Sequence, residues 1–189
     1  VLRHEVYADD GTEEADRPYS VSERNYTIRL LQPHGDSPYA VFFTHARKQL
    51  DFHYERKLYD IAGEQHADPR VTHAMALAVD EYGNVLQSVA IGYGRRFDDP
   101  APLLTSADKE KQRKTLVIYT ENRFTNPILG DDAYRTPLPC EARTYELLHL
   151  TPDSTAPHIT NIFRFEEMLS KVAAAGDGAH DLLYEDIDA

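Results

Sequence analysis

Between residues 71 and 93 the side chains alternate in size. Val71, His73, Met75, Leu77 and Val79 are large, while Thr72, Ala74, Ala76, Ala78 and Asp80 between them are small or polar. After Asp80-Glu81-Tyr82-Gly83-Asn84 the alternation resumes, with Val85, Val89, Ile91 and Tyr93 set against Ser88, Ala90 and Gly92. A period of two on both sides of a turn sequence predicts a β-hairpin. Asp80, Gly83 and Asn84 form its turn, and Met75, Leu77, Val79, Val89 and Ile91 fill its packed face. The second face carries small residues rather than charged ones. That points to cover on both sides, as in a layered or wrapped sheet.

The same pattern, less regular, recurs along the chain. Residues 4–7 read as a strand, followed by a turn at Asp9-Asp10-Gly11 and an extended run over 26–31 that Pro33 ends. Residues 40–45 and 49–54 read as a further pair of strands, with Leu50, Phe52 and Tyr54 on one face. Residues 58–69 read as a loop closed by Pro69. Residues 97–114, with Pro100 and Pro102, read as a mobile polar connector because they lack any apolar period. Strand pattern returns over 115–125 and 143–150, and the stretch between them is extended and broken by Pro137 and Pro139. A second loop spans 151–161.

One helix stands out, in the stretch 163–176. Phe165, Met168, Leu169 and Val172 share a stripe, Glu166 and Glu167 favour the first turn, and Gly176 supplies a stop. The acidic tail over 177–189 holds LLYED, a candidate last short strand. The chain shows no fixed-period repeat. The expected fold is mainly β, with antiparallel strands and hairpins and one short C-terminal helix.

Composition narrows the function classes. At 189 residues the chain suits one domain. Its 20 Lys and Arg against 32 Asp and Glu give a net charge of −12, which disfavours nucleic acid as a partner. The basic run KEKQRK, residues 109–114, reads as a solvated loop. No apolar run approaches the roughly 20 residues of a membrane span, so no membrane contact is expected. The one cysteine, Cys140, excludes an internal disulfide. The chain opens on Val1 without a Met or an export signal, as expected of residues 1–189 being a single segment of a larger polypeptide.

Candidate chemistry is sparse. Nine histidines invite a metal, but His45 and His53 lie on neighbouring strands and His66 and His73 flank a loop, without ligand spacing. Scattered half-exposed histidines account for the count better, and no metal or cofactor is expected. No nucleophile elbow occurs, and Cys140 lies between Pro139 and Glu141, whose carboxylate disfavours a thiolate. The Asp98-Asp99 and Asp131-Asp132 pairs read as solvated, and Glu121 as a strand-end carboxylate with no visible partner. No catalytic set emerges. The 12 tyrosines, with no tryptophan, suit sheet packing better than a sugar platform.

The hairpin DEYGNVL followed by SVAIGYGRR is similar to the strand-turn-strand unit of Rhs/YD-repeat proteins. With EVYADDGT, PYSVSERNYTIRLLQP, AVFFTHARKQLDFHYER, TLVIYTENRFTN and YRTPLPCEARTYEL in the same order, the chain resembles the middle-to-C-terminal segment of the B component (TcdB/TcaC type) of bacterial insecticidal toxin complexes. This resemblance implies a secreted toxin and an architectural, non-catalytic role. In that family the B and C components build a hollow β-shell around a cytotoxic effector, which a pore-forming A component delivers. The expected partners are therefore the rest of the B-component shell, the C component with its enclosed effector, and the A component. The competing reading is a self-contained β-sandwich that binds glycan or a host protein, with Tyr39, Phe42, Tyr54 and Tyr119 as its aromatic surface.

Overall fold

In the computed structural model, which describes residues 1–99, 103–153 and 161–176, the chain divides into two units, Val1–Leu148 and His149–Ala189. The first is built on a seven-stranded antiparallel sheet. Its strands are β1 (Arg3–Val6), β2 (Ser20–Gln32), β3 (Val41–His53), β6 (Arg70–Val79), β7 (Val85–Gly92), β8 (Leu116–Phe124) and β11 (Pro139–Glu146), side by side in that order. Each strand pairs with the next sheet strand along the chain. Two small hairpins are inserted in the connections, β4 (Leu58–Ile61) with β5 (Glu64–Ala67) and β9 (Ile128–Gly130) with β10 (Ala133–Arg135).

One face of the sheet forms the core. In register across it run Leu50, His73, Ile91 and Val117, and beside that row Met75, Val89 and Tyr119. All seven are buried. Removing such a side chain from water is worth about 1.5–3 kcal/mol, so this face holds much of the sheet's stability.

The opposite face is open among the described residues. Thr72, Ala74 and Ala90 are exposed, as are Leu116 and Ile118 beside them. The small side chains predict cover on this side too, but the described residues of the chain leave it uncovered.

Several local expectations need correction. Residues 58–69 hold the β4–β5 hairpin rather than a loop. Ala62 and Gly63 both adopt positive φ, 54° and 86°, and form a two-residue turn. The Asp60 carboxylate accepts the Gly63 N–H at 3.1 Å. Four-residue strands are too short to carry a readable alternation. The two strands expected over 40–54 are one, β3. A register shift opposite Asn25 and Tyr26 leaves Arg47 as the extra residue, so the inward and outward positions exchange there without ending the strand.

The connector over 97–114 contains a helix, α1 (Ser106–Gln112). It buries no residue, so an apolar period could not reveal it. Its start is fixed by a capping box in which the Thr105 hydroxyl accepts the Asp108 N–H at 3.2 Å and Asp108 accepts the Thr105 N–H at 3.0 Å. The far end of the connector is fastened too. Arg95 N–H donates to the Gln112 carbonyl at 2.7 Å, and Arg113 pairs with Asp98 at 2.6 Å. A Cβ on Gly94 would lie 2.0 Å from the Arg113 carbonyl oxygen, so only glycine fits this approach. The last sheet strand begins earlier than expected, at Pro139, and ends at Glu146.

The second unit contains α2 (Phe165–Gly176). Glu167 accepts the Arg164 N–H at 3.1 Å and the Asp153 N–H at 2.8 Å, and Lys171 pairs with Asp153 at 2.7 Å. The candidate strand in LLYED lies outside the described residues.

Candidate functional site

The β6–β7 turn is held by one carboxylate. Asp80 Oδ1 accepts the N–H groups of Tyr82 at 2.9 Å and Asn84 at 2.8 Å, and Oδ2 accepts the Asn84 side-chain amide at 2.9 Å. The Asp80 N–H donates to the Asn84 carbonyl at 3.0 Å, and the Gly83 N–H donates to the Asp80 carbonyl at 3.3 Å. Partial desolvation pulls the Asp80 carboxyl upward. The donors from Asn84, Tyr82 and Gly83 outweigh it and hold the group below the ordinary carboxylate range. Gly83 has φ of 90°, a region that strongly disfavours a side chain. A Cβ there would also touch the Phe43 ring at 3.4 Å.

From this turn the packed face runs inward. Met75, Val89 and Ile91 are each 2% exposed and Leu77 is 9% exposed, whereas Val79 is only half-buried. The register shifts between Ala76 and Ala78 and again between Ala78 and Val79. Leu77 on β6 and Leu86 on β7 are left without register partners there, and the double shift loosens the pairing next to the turn.

His73 lies in the middle of this face at 1% exposure. Its Nδ1 is 3.1 Å from the Tyr93 hydroxyl and the two rings stack at 6.2 Å, while its Nε2 is buried without a hydrogen-bond partner. Burial, and then the positive charge of Lys48, lower its pKa to about 4. The imidazole is neutral at pH 7. The expectation of a half-exposed histidine beside a loop is overturned, because His73 lies within β6 in the same alternation as Val71 and Met75 and shares their burial.

Beside the core the chain is fastened by polar contacts that sequence inspection missed. Asp68, 5% exposed, accepts the N–H groups of Arg96 at 3.1 Å and Phe97 at 3.2 Å, and its carbonyl accepts Arg95 Nη1 at 2.6 Å. Arg56, at φ of 56°, donates to Asp10 at 2.8 Å, the Tyr19 hydroxyl at 3.0 Å and the Glu14 carbonyl at 3.2 Å, with its guanidinium over the Tyr19 ring. It clasps the β1–β2 connection to the end of β3. Neither residue falls in a readable motif, because their partners are distant in sequence.

The remaining candidates do not assemble a reactive centre. Among the described residues, no group of three or more His, Cys, Asp or Glu side chains is placed to hold a metal ion. His45 lies against Phe43, His53 is exposed, and His66 approaches Glu64 at 3.5 Å and the Phe97 ring at 5.7 Å. Cys140 is exposed on β11. Glu121 does have a partner, since it accepts the Tyr119 hydroxyl at 2.8 Å. Burial and that bond raise the Tyr119 pKa. Asp98 and Asp99 pair with Arg113 and Lys57. The aromatic quartet is dispersed. Tyr119 is buried on the packed face, Tyr54 stacks on Phe52, and Tyr39 and Phe42 are exposed at the far end of β3. Among the described residues no helix is long and apolar enough to cross a membrane.

The arrangement is thus a one-sided sheet, rich in structural clasps. A family model described as the insecticide toxin TcdB middle/C-terminal region matches residues 1–138. The chain belongs to this family. The fold is shared with solved toxin-complex structures. Against the TcdB2–TccC3 crystal structure the TM-score is 0.59 at 24% identity. TcdB2–TccC3 without its hypervariable C-terminal region and the Photorhabdus luminescens Tc holotoxin pore each give a TM-score of 0.58 at 25% identity. In each case the match covers 77% of this chain and 7% of the other, so this TcdB-family segment spans a small fraction of the chains it resembles. No curated protein matches it.

Proposed function

We propose that this chain is a non-catalytic structural segment of an insecticidal toxin-complex B component, contributing antiparallel strands to a β-shell that encloses a cytotoxic effector. The observation that carries the reading is the family match over residues 1–138. The sheet supports it. The meander exposes one face and has β1 and β11 at its two edges, which suits strands that continue into a larger wall. Asp80, Gly83 and Asn84 fix the central hairpin, and Met75, Leu77, Val79, Val89 and Ile91 supply its packed side. The mechanism is containment, in which a closed wall separates cargo from solvent and protease.

The partners on this reading are the rest of the B-component shell, the C component with its effector, and the pore-forming A component. The TcdB2–TccC3 structures and the Photorhabdus luminescens Tc holotoxin pore motivate those assignments. The segment works in a secreted complex, without cofactor, nucleic acid or membrane contact of its own. Protease protection tests it. The intact polypeptide, co-expressed with its C-component partner, is digested with and without residues 1–189. Loss of effector protection on deletion is expected, and unchanged protection in the deleted complex would refute the containment role.

A further inference from the structure

The distal half of the β2–β3 hairpin is built differently from the sheet it leaves. β3 pairs with β6 only from Lys48 to His53, and β1 pairs with β2 only from Ser20 to Glu23. Beyond those points, residues 26–32 and 41–46 pair only with one another among the described strands. On one face of this arm the registered pairs are Tyr26 with Ala46, Ile28 with Thr44, and Leu30 with Phe42. None of the six carries a charge. Ile28 is 67% exposed, Phe42 58% and Leu30 50%. The other face is engaged, since Phe43 carries the Arg29 guanidinium over its ring and touches the Gly83 turn. The arm is therefore oriented by one face while its apolar face stands open. A two-stranded ribbon is marginal alone in water, and an apolar face on a strand with a vacant edge invites a further strand.

We propose that this face, centred on Ile28, Leu30 and Phe42, is a docking surface for a strand-bearing segment of the same polypeptide lying outside these 189 residues. The inference rests on the shell reading above. The TcdB-type chains that this segment resembles are many times longer, since it covers 7% of them, so ample polypeptide is present to supply the cover. Tethering raises the effective concentration of such a segment to roughly the millimolar range. A second copy is a poorer occupant, because each copy carries a net charge of −12 and repels its like. The occupant is an apolar, alternating strand that lays one face on Ile28 and Phe42.

Hydrogen exchange tests the proposal. Amides of residues 27–31 and 42–45 are compared in the 189-residue chain and in the intact polypeptide, with and without the paired substitutions Ile28→Glu and Phe42→Glu. Exchange about tenfold or more slower in the intact polypeptide is expected. The glutamates should abolish that slowing while the amides of Val85–Gly92 stay as protected as before. Equal rates in the two forms would overturn the proposal. So would slowing in the 189-residue chain alone as its concentration rises, which assigns the face to a second copy. Imaging the same samples separates the two readings. Hollow particles with a fast-exchanging arm defeat the docking surface and leave the shell reading standing, whereas a slow arm in particles without a lumen supports docking and defeats the shell.

Discussion

The β6–β7 hairpin and the distal β2–β3 arm are both antiparallel pairs with alternating side chains, yet their surroundings are opposite. In the first, Met75, Val89 and Ile91 face a closed core, a carboxylate satisfies the turn, and neighbouring strands flank both sides. In the second, Ile28, Leu30 and Phe42 face solvent and no third strand joins among the described residues. The difference separates the part of this segment that carries its own core from the part whose apolar face stands open. Alternation alone reports a half-buried strand. It does not report whether the covering layer belongs to the same stretch of chain.

Four predictions break or sharpen that contrast. The largest effect is expected in the core, where Met75→Ala should cost about 2–5 kcal/mol in denaturant unfolding. Ile28→Ala in the 189-residue chain should stay within about 0.5 kcal/mol, because it removes no buried contact. Comparable losses at the two positions would erase the distinction.

Acid should also find the core and spare the arm. His73 has a folded pKa lowered to about 4 against 6.5 when unfolded. The folded state therefore binds the proton less readily, so stability is fully present above pH 6.5 and is lost as pH falls toward 4. At about 1.4 kcal/mol per pH unit the full window is worth about 3 kcal/mol. Melting curves between pH 7 and 4 should show this loss, and His73→Gln should flatten the dependence over that window. A variant that kept the parent's pH dependence would remove His73 as its source.

Turn substitutions come next. Gly83→Val forces a β-branched residue to a φ of 90° against the Phe43 ring and should cost about 1–3 kcal/mol, read as a lower Tm. An unchanged Tm would contradict the turn assignment. Smaller than the glycine change is Asp80→Ala, which strips the acceptor from two turn N–H groups that water then reaches. A loss of about 1–2 kcal/mol is expected in the same assay.

What the sequence made legible follows the same division. The β6–β7 hairpin could be read because its strands are long, its packed face is uniformly large and its turn residues have one reason to be there. The β4–β5 hairpin could not, since four-residue strands leave no period to detect, and only Gly63 marked the turn. α1 was invisible to hydrophobic patterning because it buries nothing; the Thr105–Asp108 capping box was its one local signal. The Asp68 and Arg56 clasps depend on partners about 28 and 46 residues away, which a single sequence does not reveal. The family resemblance was legible for a different reason, because it rests on an ordered set of segments rather than on any one residue.

The central claim is that this segment is part of a closed wall, and imaging tests it most directly. The intact polypeptide, co-expressed with its downstream C-component partner, is examined by electron microscopy with and without residues 1–189. The shell account predicts hollow particles that open or collapse when the segment is deleted. Closed hollow particles lacking only a peripheral lobe would contradict it.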